Sequence, residues 1–221
     1  MGALRMDLRA SLHGAAFLGG VLLSLGGCFA ALWGLLAEGS AADFPTVEAA
    51  LCSQTLRFCL PAAAALPYGA AWQEQTASGF WRFSVSRGGR AGFCLGKLLV
   101  SWLSGAGAVS LGLLIFLGIS ARVIPEREAV DQLILEYFPQ LTALAGLYAQ
   151  LSVAGALVFR NRIAAWFTPF LCCFLLTMLQ ERYLQDIRCL DLMTWPARVS
   201  VAAAILVCCA LFFPMERRLR A

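Results

Sequence analysis

Residues 67–97 read PYGAAWQEQTASGFWRFSVSRGGRAGFCLGK. An apolar segment ends at Trp72, a polar and basic run follows, and a second apolar segment opens at Leu98. The run is too polar to cross a bilayer. It is also too aromatic for a plain solvated loop, because Phe80, Trp81, Phe83 and Phe93 sit among Arg82, Arg87, Arg90 and Lys97. Taken as a helix, Gln75 to Ser86 sets Thr76, Phe80 and Phe83 on one face, with Trp81 and Val85 beside it. Arg87-Gly88-Gly89-Arg90 then breaks the helix and turns the chain back. The stretch reads as a short amphipathic helix on one side of a membrane. Aromatic residues mixed with Arg form protein–protein hot spots, and Trp equally anchors in lipid headgroups; the residues alone leave both readings open.

The composition sets this stretch in a membrane. The 221 residues are 60% hydrophobic and 14% charged, with mean hydropathy +0.75. Soluble domains carry about 45–50% apolar and about 25% charged residues. A span takes about 20 apolar residues, so the length allows a handful of spans and excludes a separate soluble catalytic domain. The net charge of +4 suits cytoplasmic loops rather than nucleic acid.

Working outward, six spans are expected, at about residues 14–37, 52–72, 98–120, 141–159, 163–179 and 199–215. Before the first, Leu4, Leu8 and Leu12 recur every four residues beside Arg5 and Arg9, the pattern of an interfacial helix; a frayed basic N-terminus is the alternative. The first span is rich in small residues, and the acidic stretch from Glu38 to Leu51 reads as a loop. Pro61 and Pro67 interrupt the second span. Their freed carbonyls must face protein or a wet cavity, giving either a packed kink or a kinked pathway wall. Arg57 near its outer end is expected to snorkel. Pro125, followed by Glu126 and Glu128, starts an amphipathic helix, expected to lie on the outer surface up to residue 140. Residues 180–198 are too polar to span and are expected to dip into the interface.

Orientation follows from charge. The N-terminus, residues 73–97, residues 160–162 and the C-terminus carry 11 of the 17 basic residues, and ten of the 13 acidic ones fall on the opposite side. Both termini and the 73–97 loop are therefore expected to be cytoplasmic.

No catalytic constellation is visible. His13 is the only His, and GxSxG, HExxH and GxxxxGK[ST] are all absent, so no catalytic, cofactor-binding or metal residue is expected. No carboxylate sits deep in a span, which argues against ion-coupled transport. Of nine cysteines most fall in apolar runs, where Cys packs as a small hydrophobe; a Cys52–Cys189 disulfide and nine packing cysteines are both open.

The order of residues around the quoted stretch resembles the permease subunits of ABC-2 type ABC transporters. A proline-containing span ends in a polar stretch with Glu74 and Gly79; Arg87, Arg90, Phe93 and Lys97 then lead into the next span. The resemblance covers the whole chain: an amphipathic N-terminal helix, six spans and a partly buried outer segment before the last. The chain departs from the group in being short, with small outer loops. The resemblance implies an all-α integral membrane protein with a cytoplasmic coupling helix between spans two and three. It implies that Ser78, Gly79, Phe80, Trp81, Arg82, Phe83 and Arg87 dock on a separate ATPase carrying ATP and Mg. It also implies pairing with a second permease copy or a sister permease, and a place in a bacterial cell membrane. Pro61, Pro67, Tyr68, Thr168 and Thr177 would line the pathway, and the cargo would be an exported peptide, drug-like or lipid-like molecule. The competing class is a non-transport membrane scaffold, assembly factor or sensor that binds a cytosolic partner through the same loop.

Overall fold

The computed structural model describes residues 2–41, 43–69, 85, 89–123, 127–159, 161–183 and 191–218, with side-chain surroundings for all of these except 2–6, 123, 127–130 and 218. All regular structure among them is helical. In chain order the helices are α1 (Gly2–Leu12), α2 (Ala15–Ala37), α3 (Phe44–Leu51), α4 (Gln54–Ala65), α5 (Arg90–Val123), α6 (Arg127–Phe159), α7 (Arg162–Tyr183) and α8 (Ala197–Arg218), with a 3-10 turn at Leu192–Thr194 before α8. Among the described residues five helices are long and apolar enough to cross a membrane: α2, α5, α6, α7 and α8.

The α6 helix is the axis. Within its most apolar window 78% of residues are buried, against 56% in α5, 39% in α2, 22% in α7 and 17% in α8. The rim helices face outward with large apolar side chains. Ile163, Phe167, Leu171 and Leu175 of α7 and Ile205, Leu206 and Phe213 of α8 are exposed. Such a surface is tolerable when its solvent is hydrocarbon.

Small residues let the helices close up. A Cβ placed on Gly20 of α2 would lie 2.7 Å from the Ala63 carbonyl oxygen of α4, and one on Gly105 of α5 would lie 2.8 Å from that of Ala64. The α4 backbone is thus gripped from two sides, and Leu56, Leu60, Ala63, Ala64 and Ala65 are all but fully buried.

Hydropathy boundaries and helix boundaries part company in three places. The third span was expected from residue 98, but α5 starts at Arg90, immediately after Gly89 turns the chain at φ 72°. The amphipathic stretch expected to lie on the outer surface is instead the first part of α6 and runs unbroken through Pro139 into the fourth span. Pro139 removes the bond to the Leu135 carbonyl, and Leu135 lies on an exposed face in the first third of the helix. The acidic loop contains α3, capped by Asp43, whose carboxylate accepts from the Thr46 backbone N–H at 3.2 Å and from its hydroxyl at 2.7 Å. Asp43 followed by Pro45 in the first turn was the available signal.

Two apolar clusters mark the two ends of the bundle. One gathers Tyr68, Phe93, Cys94, Leu98, Leu157, Ala165 and Met215, with Leu8 and Val85 packed on it. It joins α1, the foot of the α4 leg, the start of α5, the α6–α7 turn and the end of α8. The other is larger and runs from the middle of the bundle to the opposite end, where Val47, Leu51, Leu56, Phe116, Leu133 and Leu192 meet.

Candidate functional site

Helix α4 has only 12 residues, about 18 Å at 1.5 Å per residue, yet its leg joins the two ends. At its start Arg57 meets the 3-10 turn; three residues past its end Tyr68 lies beside Lys97 of α5. Between those points stand Pro61 and Pro67, and α4 packs on α2, α5, α6 and α7.

Each buried proline frees a carbonyl four residues back, and neighbouring helices meet those carbonyls. Pro61 frees Arg57 O, which lies 3.7 Å from the Cys173 thiol of α7, a donor to it. Pro67 frees Ala63 O, which abuts Gly20 of α2. Pro169 of α7 frees Ala165 O, which accepts from the Ser152 hydroxyl of α6 at 2.7 Å. Among the described residues the carbonyls freed by Pro61 and Pro169 meet a side-chain donor, and the one freed by Pro67 packs against a glycine. Thr168, next to Pro169, donates to Ala164 O at 2.6 Å in its own helix.

An ion pair closes each end. Lys97, the single lysine of the chain, is 3% exposed and reaches Asp7 of α1 at 2.5 Å. Its ammonium also lies 5.1 Å from the Phe93 ring centroid and 6.0 Å from that of Tyr68, within reach of cation–π attraction. The Tyr68 hydroxyl has no hydrogen-bond partner among the described residues. At the other end Arg57 Nη2 donates to Asp191 Oδ2 at 2.9 Å. The second Asp191 oxygen accepts from Met193 N–H at 3.1 Å and so shapes the 3-10 turn. Gln140 of α6 donates to Met193 O and ties the same turn down. Nearby, the Tyr137 hydroxyl donates to Glu48 of α3 at 2.7 Å.

Beneath the Arg57–Asp191 pair lies a cleft lined by Tyr148, Cys173, Leu176, Thr177, Leu192 and Met193, with no room for a water molecule. Tyr148 is fully buried and donates to Cys173 Sγ at 3.5 Å.

Of the residues expected to line a pathway, Thr177 lines this cleft. Pro61 sits in the α4 interior, Pro67 packs on Gly20, and Tyr68 lies in the apolar cluster at the far end. The five lie along the α4 leg and α7, which pack together. The docking residues Ser78, Gly79, Phe80, Trp81, Arg82, Phe83 and Arg87 lie outside the described residues. Cys52 is a free thiol, and Cys189 lies outside the described residues. Arg57, expected to snorkel, is instead paired inside the bundle. Asp7 and Asp191 were not singled out by the sequence; each is an acid far along the chain from the base it meets, and no local pattern announces it. No cluster of His, Cys, Asp and Glu suited to a metal occurs among the described residues.

The sequence matches no family model, and neither curated proteins nor solved structures show a significant match to it.

Proposed function

We propose that this multi-pass helical protein is the permease subunit of an ABC-2 type transporter, driven by a separate cytoplasmic ATPase that carries ATP and Mg. In this reading the α4 leg counts as a sixth crossing, and α1 lies along the inner face of the cell membrane. One observation carries the proposal. The N-terminal helix, the foot of α4, Val85, the start of α5, the α6–α7 turn and the end of α8 gather in one cluster at one end of the bundle. That is where a permease would present the segment between spans two and three to an ATPase, and it is also the end where the basic residues concentrate. Two copies, or one copy and a sister permease, would form the working unit. The cargo class follows from the apolar walls: an exported peptide, drug-like or lipid-like molecule.

Purification in mild detergent from native membranes tests this reading. The expected result is a stoichiometric soluble partner with a GxxxxGK[ST] loop, lost when Phe80 and Trp81 are both changed to Ala. A preparation with no ATPase, from wild type as well as from the variant, overturns the proposal in favour of a membrane scaffold.

A further inference from the structure

Arg57 is the one charged side chain on α4, and its hydrogen bonding is incomplete. A guanidinium offers five N–H donors in a planar fork and commonly grips a carboxylate with two of them. Here one bond is made, Nη2 to Asp191 Oδ2 at 2.9 Å. Nε is buried and has no partner among the described residues. Asp191 gives Oδ2 to the fork while its Oδ1 accepts from the Met193 N–H. A buried donor left open in this way calls for an explanation.

The surroundings supply one. The cleft under the pair is lined by the hydroxyl-bearing Tyr148 and Thr177 and by the apolar Leu176 and Met193, with the Tyr148 hydroxyl donating to Cys173 Sγ. We propose that this cleft is a closed binding site for an amphipathic anion, a carboxylate or phosphate on a short apolar chain, with Asp191 as its built-in occupant. An incoming anion, free of the tie to Met193, accepts from Nε and Nη2 together. Its apolar chain then lies against Leu176 and Met193. Because the cleft holds no space for water, the ligand enters only in exchange for Asp191, which leaves with the 3-10 turn. The turn is held by its bond from Gln140 to Met193 O, so that bond sets how often the site opens. The binding site goes beyond the permease reading and does not rest on it; it becomes a cargo site only if that reading holds.

The test is calorimetric titration of the full chain in nanodiscs of zwitterionic lipid, which contain no ATPase and so leave the permease reading untouched. The probes are hexyl phosphate and hexanoate, with hexylammonium and inorganic phosphate as controls. Apparent affinity scales with the open fraction, so Asp191→Asn is expected to bind hexyl phosphate about tenfold more tightly than wild type. Gln140→Ala, which keeps both charges, is expected to bind it about threefold more tightly. Arg57→Gln is expected to abolish binding, alone and combined with Gln140→Ala. The proposal is overturned by equal affinities in wild type and Gln140→Ala, by binding that survives Arg57→Gln, or by equal binding of hexylammonium. Inorganic phosphate bound as tightly as hexyl phosphate overturns the amphipathic requirement. If Asp191→Asn does not reconstitute, Gln140→Ala and its Arg57→Gln combination carry the test alone.

Discussion

The two ends of the bundle solve the same problem differently. At one end Lys97 is sealed at 3% exposure beneath α1, with a carboxylate and two aromatic rings around it. At the other, the Arg57 and Asp191 side chains keep 16% and 14% exposure, against 3% for Lys97 and 25% for Asp7, and the buried Arg57 Nε has no partner among the described residues. A compact ammonium can be surrounded by one oxygen and ring faces. A planar fork is matched best by an acceptor that gives it two oxygens, and here Asp191 gives one while its other oxygen accepts from Met193 N–H.

The largest expected effect lies at the sealed end. Asp7→Asn strands a buried ammonium, and breaking one partner of a buried pair costs about 3–5 kcal/mol. Thermal unfolding in detergent should show a large fall in midpoint, and Asp7→Asn with Lys97→Met should recover most of it. If the double variant is as unstable as the single one, the pair is not what holds that end.

Also within the cluster at the Lys97 end, Ser152→Ala leaves the Ala165 carbonyl, freed by Pro169, with no donor. An unsatisfied buried group costs about 1–3 kcal/mol, read as a smaller fall in the same midpoint. Ser152→Thr keeps the donor and should fall less unless its methyl clashes. No change with Ala would mean that the proline kink needs no outside support.

At the Arg57–Asp191 end, Asp191→Asn removes the charge but keeps an acceptor for Nη2 and should cost about 1–3 kcal/mol. A loss as large as that of Asp7→Asn would erase the contrast between the two ends.

The smallest effect is in α3. The Thr46 hydroxyl and backbone hold the Asp43 carboxyl below its ordinary value. A depressed carboxylate contributes stability above its unfolded-state value, and the contribution is lost as pH falls through the folded-state value. Amide exchange at Thr46 should therefore quicken as pH drops below about 4, after correction for intrinsic rates. Exchange that is flat with pH, or equally sensitive in Asp43→Asn, would remove the carboxylate from the cap.

Much of the bundle was legible from residue order. The long apolar runs that became α2, α7 and α8 were placed to within about four residues, because a hydrocarbon solvent admits only a helix across so many apolar residues. Pro125 marked the start of α6 to within two residues, but its continuation into the fourth span was not legible, nor was the start of α5, because hydropathy reports where lipid begins and a helix can project past that point. Arg90 and Arg127 start helices whose first turns carry polar residues. The candidate site was read less well. Pro61, Pro67, Thr168 and Thr177 were found because proline and hydroxyl residues stand out in an apolar run, but their neighbours were not. Whether a freed carbonyl meets water or protein depends on Cys173, Gly20 and Ser152, which no pattern near the prolines indicates.

Composition and periodicity thus determined a membrane-type helical chain, its helix order and the places where its backbone bonding is interrupted. Each of these depends on residues within a turn or two of one another. Tertiary structure alone decided that α6 is the axis, that α4 is a short buried leg, and which acid meets which base. Asp7 and Lys97 are 90 residues apart in the chain, and Arg57 and Asp191 are 134 apart. Such partners are chosen by packing, since a buried charge takes whichever opposite charge the assembled helices bring within reach.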